Sequence, residues 1–524
     1  MSAGLVSRQA RVFAARVAGA VGLRMGATMA FVLMLAVGPA GAGPWAEVGD
    51  AQTRSDVELA ASMGLVDGIT MEWPLPWTSI LGGLHDRRSK DDVLPDNVRE
   101  AVERLQLKGK DDVHIHRPRA WVAINAATDP ATVRGYDALS DTTAQAQAVY
   151  EYVSSDAAVR IAAGARRNSG TDKQTLIFDS SYIAKRLDGV IVYAGYVPHW
   201  WGPGWISALQ LSNNARPMPQ IGFSRVQTHQ SQSWWLSWMG PWQFEGFVGV
   251  LDGQRRASNT VYVAVRWAMN PIPGLEVAGS RTTQMCGTQE VNPLYKVQRH
   301  TCSPLASYFT FSNDPKSVNS TNDQGSMDIR YTNTLLSVPF AVYAQFMNED
   351  SSPVVHSSTS RLYGGSVWLP FQGLSTRLTL EYANSIATNN LWGSGAQHGV
   401  AYNNYQYLDG MRYRGRSLGF SLDSDSILYS AQLAVVDPQK WTYTLTYHRA
   451  LVSSPLIARD NHLFYNVVSP SPVRFHAVEG RVGVPLQWGE YRAHIDMVGR
   501  WQNDQPRPGH GTQLAFEMAL KFGL

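Results

Sequence analysis

The chain has 524 residues, of which 44% are hydrophobic, 10% aromatic and only 17% charged, against about 25% charged in ordinary soluble domains. Mean hydropathy is −0.21, which excludes a helical membrane protein needing several apolar runs of about 20 residues, and the wealth of aromatic and β-branched residues excludes disorder. The formal charge of +3 includes Arg8, Arg11, Arg16 and Arg24 from a leader without acids; without them the charge is near −1, and no global case for nucleic-acid binding remains.

The first element is an export signal, residues 1–42. Its four arginines precede an apolar run, Met29–Val37, too short for a comfortable membrane span, and Ala40-Gly41-Ala42 offers the small residues a signal peptidase needs. An exported chain with no later apolar run is either soluble or a β-barrel.

Residues 43–112 read as a small helical segment ahead of a long β region. Ser55-Asp56-Val57-Glu58 fits a capping box, in which a Ser oxygen and a Glu carboxylate satisfy free helix amides. Gly64 suits the end of that helix. A second helix is expected from Pro95 to Lys108, with Val98, Val102 and Leu105 on one face and Glu100 and Arg104 spaced to pair. Between them Trp73-Pro74-Leu75-Pro76-Trp77 is extended, since proline breaks a helix interior. This segment holds 14 acids and 8 bases, a net −6, leaving +5 for residues 113–524.

From residue 113 the hydrophobic period changes to two. Leu514, Phe516, Met518, Leu520 and Phe522 alternate with Ala515, Glu517, Ala519 and Lys521, and similar dyads recur around Leu378, Ile427 and Tyr491. A soluble sandwich alternates too. Export, the aromatics at strand ends (Trp234, Trp235, Trp238, Trp242, Trp441, Trp501) and an amphipathic closing strand favour a membrane barrel with interfacial girdles. About 412 residues make roughly 16–20 strands. The expected fold class is all-β, a large antiparallel outer-membrane β-barrel over residues 113–524.

Cys286 and Cys302 are expected to pair in an oxidising compartment. Neither has metal or redox spacing, so no metal site and no cofactor is expected.

Two stretches carry candidate function. On a strand, Arg412, Arg414 and Arg416 would share a face, and lipid contact would cost about 2–4 kcal/mol each, so they would line the lumen. Two readings stand: a bracing ion network with Glu381, Glu479, Asp423 or Asp425, or an electropositive stripe for an acidic glycan. The second stretch holds Trp200, Trp201 and Trp205 about a Gly-Pro-Gly turn, followed by Asn214 and Arg216. It reads either as a sugar-stacking site or as a turn packed by tryptophans. Tyr402-Asn403-Asn404-Tyr405-Gln406-Tyr407 is a further amide- and aromatic-rich loop. The sequence carries no zinc-protease, phosphate-loop or calcium-loop motif.

Three blocks, Arg54–Trp77, His199–Arg225 (HWWGPGWISALQLSNNARPMPQIGFSR) and Tyr407–Ser426 (YLDGMRYRGRSLGFSLDSDS), resemble the Wzi-type capsule-assembly outer-membrane proteins. The stretch Met285–Gln324 matches no block. The resemblance implies a monomeric 18-stranded barrel with a small periplasmic helical bundle. It also implies a non-enzymatic, lectin-like role holding capsular or extracellular polysaccharide at the cell surface, with outer-membrane lipid around the barrel. The alternative is a diffusion porin with mild anion preference, consistent with the +5.

Overall fold

Residues 45–87, 94–113, 116–168, 172–251, 255–289, 302–310, 317, 319–349, 358–371, 374–453, 465–489, 491–505 and 511–523 are described by a computed structural model. The expected signal peptide lies outside the described residues.

Eighteen antiparallel strands, from Arg119–Ala127 to Gln513–Gly523, close into one barrel. The last strand pairs with the first, Gly523 opposite Trp121 and Glu517 opposite Ala127. Closure removes both sheet edges, so the ladder satisfies the wall's backbone polar groups within the hydrocarbon layer. The period-two pattern sets which side faces out. In the closing strand Leu514, Phe516 and Met518 are exposed while Ala515 and Glu517 are buried. Inward charges brace neighbouring strands, as Arg500 does with Glu517 at 3.0 Å and Arg481 with Asp496 at 2.9 Å. Outward aromatics form two bands. On one, Tyr363 stacks on Tyr382 and Tyr429 packs against Tyr382 at a tilt; on the other, Trp488, Tyr491 and Phe522 cluster.

The two ends of the barrel differ. At one, strands are joined by tight links such as Leu187 to Val190, Ile272 to Leu275 and Leu335 to Val338. At the other, residues 128–143, 196–219 and 389–426 form long connections.

Three helices lie at the tight-link end: α1 (Ala51–Ser62), α2 (Trp77–Arg87) and α3 (Asp96–Asp112). Helix α1 starts before the expected capping box, because the Asp50 carboxylate accepts from Thr53 N at 2.9 Å and is the true cap. Ser55 therefore lies inside the helix, where its hydroxyl accepts from the Trp368 indole at 3.0 Å, and Glu58 turns to Arg54 and Arg330. Helix α2 has no counterpart among the sequence expectations; it begins directly after Pro76, whose fixed φ permits a helix start but hides it in a proline-rich string. Helix α3 runs four residues beyond the expected Lys108. Glu100 and Arg104 do pair, at 3.7 Å, and Arg104 also clamps α3 to Asp56 of α1 at 2.8 Å.

The lumen is filled from both ends. The helical segment reaches in from one end, with Thr70 held by Glu276 and Glu58 by Arg330. Connections 196–219 and 389–426 fold back into the barrel from the other. They meet in the middle, where Trp200 and Trp201 form a two-residue antiparallel ladder with Trp73 and Glu72. Trp73, Trp77, Trp200 and Trp201 are among the largest fully buried side chains of the molecule.

Candidate functional site

The centre of the plug is built on Arg54. Its guanidinium donates to Glu58 Oε1 at 2.9 Å, Gly204 O at 3.0 Å and Pro203 O at 2.8 Å, and lies 4.3 Å from the Trp205 ring centre and 4.6 Å from that of Tyr136. Arg377 covers Trp205 at 3.2 Å. Two buried arginines thus share aromatic faces, which substitutes for part of the hydration they have lost. The turn can be this tight because residue 204 is glycine; a Cβ there would come 2.1 Å from Ser207 O. The Glu381 carboxylate accepts from the amides of Trp205, Ile206 and Ser207, and Gln345 accepts from Leu209 N at 2.7 Å. The wall thereby satisfies the backbone of a loop that has no ladder of its own.

Trp200, Trp201 and Trp205 are each no more than 2% exposed. Their indoles donate to Gly204 O, Glu245 and Glu58, so in this arrangement they pack the plug and present no open face to a sugar. Asn214 is likewise internal, donating to Ser417 O at 2.9 Å. The Tyr402–Tyr407 tract is buried too: the Tyr402 hydroxyl donates to Leu209 O, and Tyr407, Asn403, Asn404 and Gln406 are enclosed.

The Arg412–Arg416 stretch is not on a barrel strand. Arg412 pairs with Ser417 and Tyr413 with Arg416 in a small hairpin inside the 389–426 connection. Its turn residues Arg414 and Gly415 have φ of 50° and 78°, the paired positive values of a tight two-residue turn. A hairpin separates the three arginines instead of aligning them. Arg412 turns into the plug, with Nε 3.0 Å from both oxygens of fully buried Asp423. Of the four acids considered for the network, Asp423 takes this role. Arg414 reaches Asp172 at 3.1 Å and Arg416 reaches Asp141 at 3.4 Å.

Arg414 and Arg416 join Arg216, the other candidate arginine, together with Arg134, Arg166, Asp141, Asp172 and Asp179, which the sequence did not nominate. Asp172 also receives Arg166 at 2.6 Å and Arg216 at 2.9 Å; Arg216 also pairs with Asp179 at 2.7 Å, and Arg166 with Asp141 at 2.8 Å. Arg134 donates to the carbonyls of Leu139 and Ser140. Arg134, Arg166, Arg216, Arg414 and Arg416 thus gather around Asp141, Asp172 and Asp179 at the long-loop end. Burial together with the neighbouring Arg416 pushes Arg134 down to about 10, and burial together with Arg166 lowers Arg416. Burial raises the Asp141 carboxyl, but Arg416, Arg134 and Arg166 outweigh it and hold the group below the usual carboxylate range. Asp172 lies 242 positions from Arg414, and nothing local in the sequence links them.

Cys286 and Cys302 are joined by a disulfide, followed by a short helix, Pro304–Thr310, at the same end. Among the described residues no group of three or more His, Cys, Asp or Glu side chains is placed to hold a metal ion.

The family model for the capsule assembly protein Wzi matches residues 116–450. The chain belongs to this family. A Klebsiella pneumoniae protein described as an uncharacterised 55.8 kDa protein in the cps region is 27% identical over 172 residues, a span of about a third of either chain (32% of each). The solved Wzi barrel of Escherichia coli superposes with a TM-score of 0.75 at 17% identity, covering 92% of this chain and 99% of that one. That protein is described as an outer-membrane protein involved in group 1 capsule assembly and as a carbohydrate-binding β-barrel. The Wzi-family chain described above is accordingly an outer-membrane β-barrel of the capsule-assembly class.

Proposed function

We propose that this barrel is a non-enzymatic, lectin-like protein that attaches or organises an acidic capsular or extracellular polysaccharide at the cell surface. In this reading the long loops face outward and the helices α1–α3 face the periplasm, following the usual barrel pattern of short inner turns and longer outer loops. It acts as a monomer in outer-membrane lipid.

The observation that carries the reading is the five-arginine, three-aspartate group at the long-loop end. Arg414 and Arg416 are the least buried arginines of that group, and a polymer carboxylate can dock on them through a guanidinium fork. The carbohydrate binding of the Escherichia coli relative adds support. Each carboxylate contact is weak alone, but a repeating polymer engages many barrels, and avidity turns weak contacts into retention.

The test is a pull-down with native polymer and with the same polymer after carboxyl reduction. Retention of the native form, lost on reduction and weakened by Arg414→Gln with Arg416→Gln, is the expected result. Equal binding of both forms overturns the acidic-glycan reading. A diffusion porin would instead need a water path through a lumen that the two loops and the helical segment occupy.

A further inference from the structure

Residues 226–241 join the strands Gln220–Arg225 and Trp242–Leu251 at the helix end of the barrel. Other links at that end span two to five residues; this one spans sixteen and contains no Asp, Glu, Lys or Arg. Trp234, Trp235 and Trp238 within it are 87%, 59% and 59% exposed. Bare indoles at this density in an uncharged segment are costly in water.

The stem of the loop is fixed. Thr78 Oγ1 donates to Val226 O at 2.6 Å, Thr228 N to Ser79 Oγ at 3.1 Å, and Thr228 Oγ1 to Asp67 Oδ2 at 2.8 Å. His229 Nδ1 lies 2.8 Å from the same Asp67 oxygen. On the other side Arg225 covers Trp242 at 3.9 Å and donates to Trp242 O and His229 O. The tip ends in a single helical turn, Ser237–Met239, whose Met239 is buried while Trp238 is not. The loop therefore holds its indoles out on a braced frame.

The wall beside it is the lipid-facing surface. Phe223 and Phe244, two residues before and after the loop's flanking positions Arg225 and Trp242, are exposed and in ring contact at 5.5 Å. Phe244 stands opposite exposed Trp267 in the ladder. The tryptophan loop continues this aromatic band past the end of the strands.

We propose that residues 230–240 form an interfacial foot that lies in the phospholipid headgroup and acyl boundary bordering the helix end, with Trp234, Trp235 and Trp238 inserted. Indoles favour that layer because the ring is apolar and the N–H still reaches water or headgroup oxygens. Uncharged neighbours remove the cost of drawing ions into it. Because the loop is bonded to Asp67, the foot also ties the plug to the membrane surface.

The test uses the whole mature barrel in symmetric phosphatidylcholine bilayers, so it reads depth whichever way the barrel faces. With Cys286 and Cys302 bonded to each other, Trp235→Cys carries the only free thiol for a nitroxide label. The expected result is collision with oxygen exceeding collision with a water-soluble nickel chelate, as for a Phe244→Cys control on the wall and unlike a Trp392→Cys control at the far end. Chelate access equal to that of the Trp392→Cys control overturns the proposal. So does dipolar broadening between labels, which would place a second copy of the chain on the patch. A second measurement removes dependence on that variant: bromine-labelled lipid should quench the wild-type tryptophan signal more than that of a folded Trp234→Ser, Trp235→Ser, Trp238→Ser barrel. Equal quenching of both proteins overturns it.

Discussion

Trp73 and Trp200 stand opposite one another in a two-residue antiparallel ladder inside the barrel, one brought from the helix end and the other from the long-loop end. Trp201 also bridges Leu211 of its own connection, and Leu75 and Pro76 pair with Ala46 and Trp45, so the ladder joins two small paired segments into one plug. Tyr136 packs edge-on against both indoles, at 5.7 Å and 5.5 Å. This contact is where the plug from one end becomes continuous with the plug from the other.

Replacing Trp200 by alanine should cost about 3–5 kcal/mol, the range for emptying a buried aromatic site. The strand ladder does not depend on that indole, so the barrel should keep its heat-modifiable migration. Planar-bilayer recording should find the parent silent and the variant intermittently conducting. A parent with steady open conductance would contradict a filled lumen.

The arginines of the hairpin should separate by consequence. Arg412→Gln strands the fully buried Asp423 carboxylate and should cost about 3–5 kcal/mol, as in other broken buried ion pairs. Arg414→Gln and Arg416→Gln leave Asp172 and Asp141 still paired with Arg166, and Asp172 with Arg216, so they should cost less stability than Arg412→Gln but reduce polymer retention. Urea unfolding followed by near-ultraviolet circular dichroism, beside a binding assay, checks both halves.

Two plug groups should respond to acid with opposite sign. Burial lowers the His199 imidazole to about 3 from 6.5, so its contribution is whole above pH 6.5 and is lost as pH falls, about 2 kcal/mol by pH 5. Burial raises Asp56 to about 6 from 3.8 against its two Arg104 hydrogen bonds. Its contribution is whole below pH 3.8 and is lost as pH rises through 6. His199→Gln should therefore make the plug more stable on acidification from pH 6 to 4, and Asp56→Asn should steepen the acid loss. Urea midpoints across that window measure it.

Cys286→Ser with Cys302→Ser opens a sixteen-residue link and should cost about 3 kcal/mol if chain entropy dominates. The loss should stay at the long-loop end, seen as faster proteolysis around Pro304–Thr310 with the barrel intact.

The amino-acid sequence by itself determined the barrel wall, because a period of two written in Leu514, Phe516 and Met518 against Ala515 and Glu517 specifies which side meets lipid without reference to any distant residue. Family membership was also legible, in blocks such as the one spanning His199 to Arg225. The positions of those blocks were not. Trp200, Trp201 and Trp205 have the composition of a sugar platform, and Arg412 to Arg416 have the spacing of a strand face. Only folding back into the lumen buried the former, and only the positive φ of Arg414 and Gly415 turned the latter into a hairpin. The arginine–aspartate group needed tertiary structure most, since Asp172 and Arg414 meet through chain closure across 242 positions. Local periodicity encodes a surface's partner phase, whereas a plug assembled from distant loops is encoded only in their mutual packing.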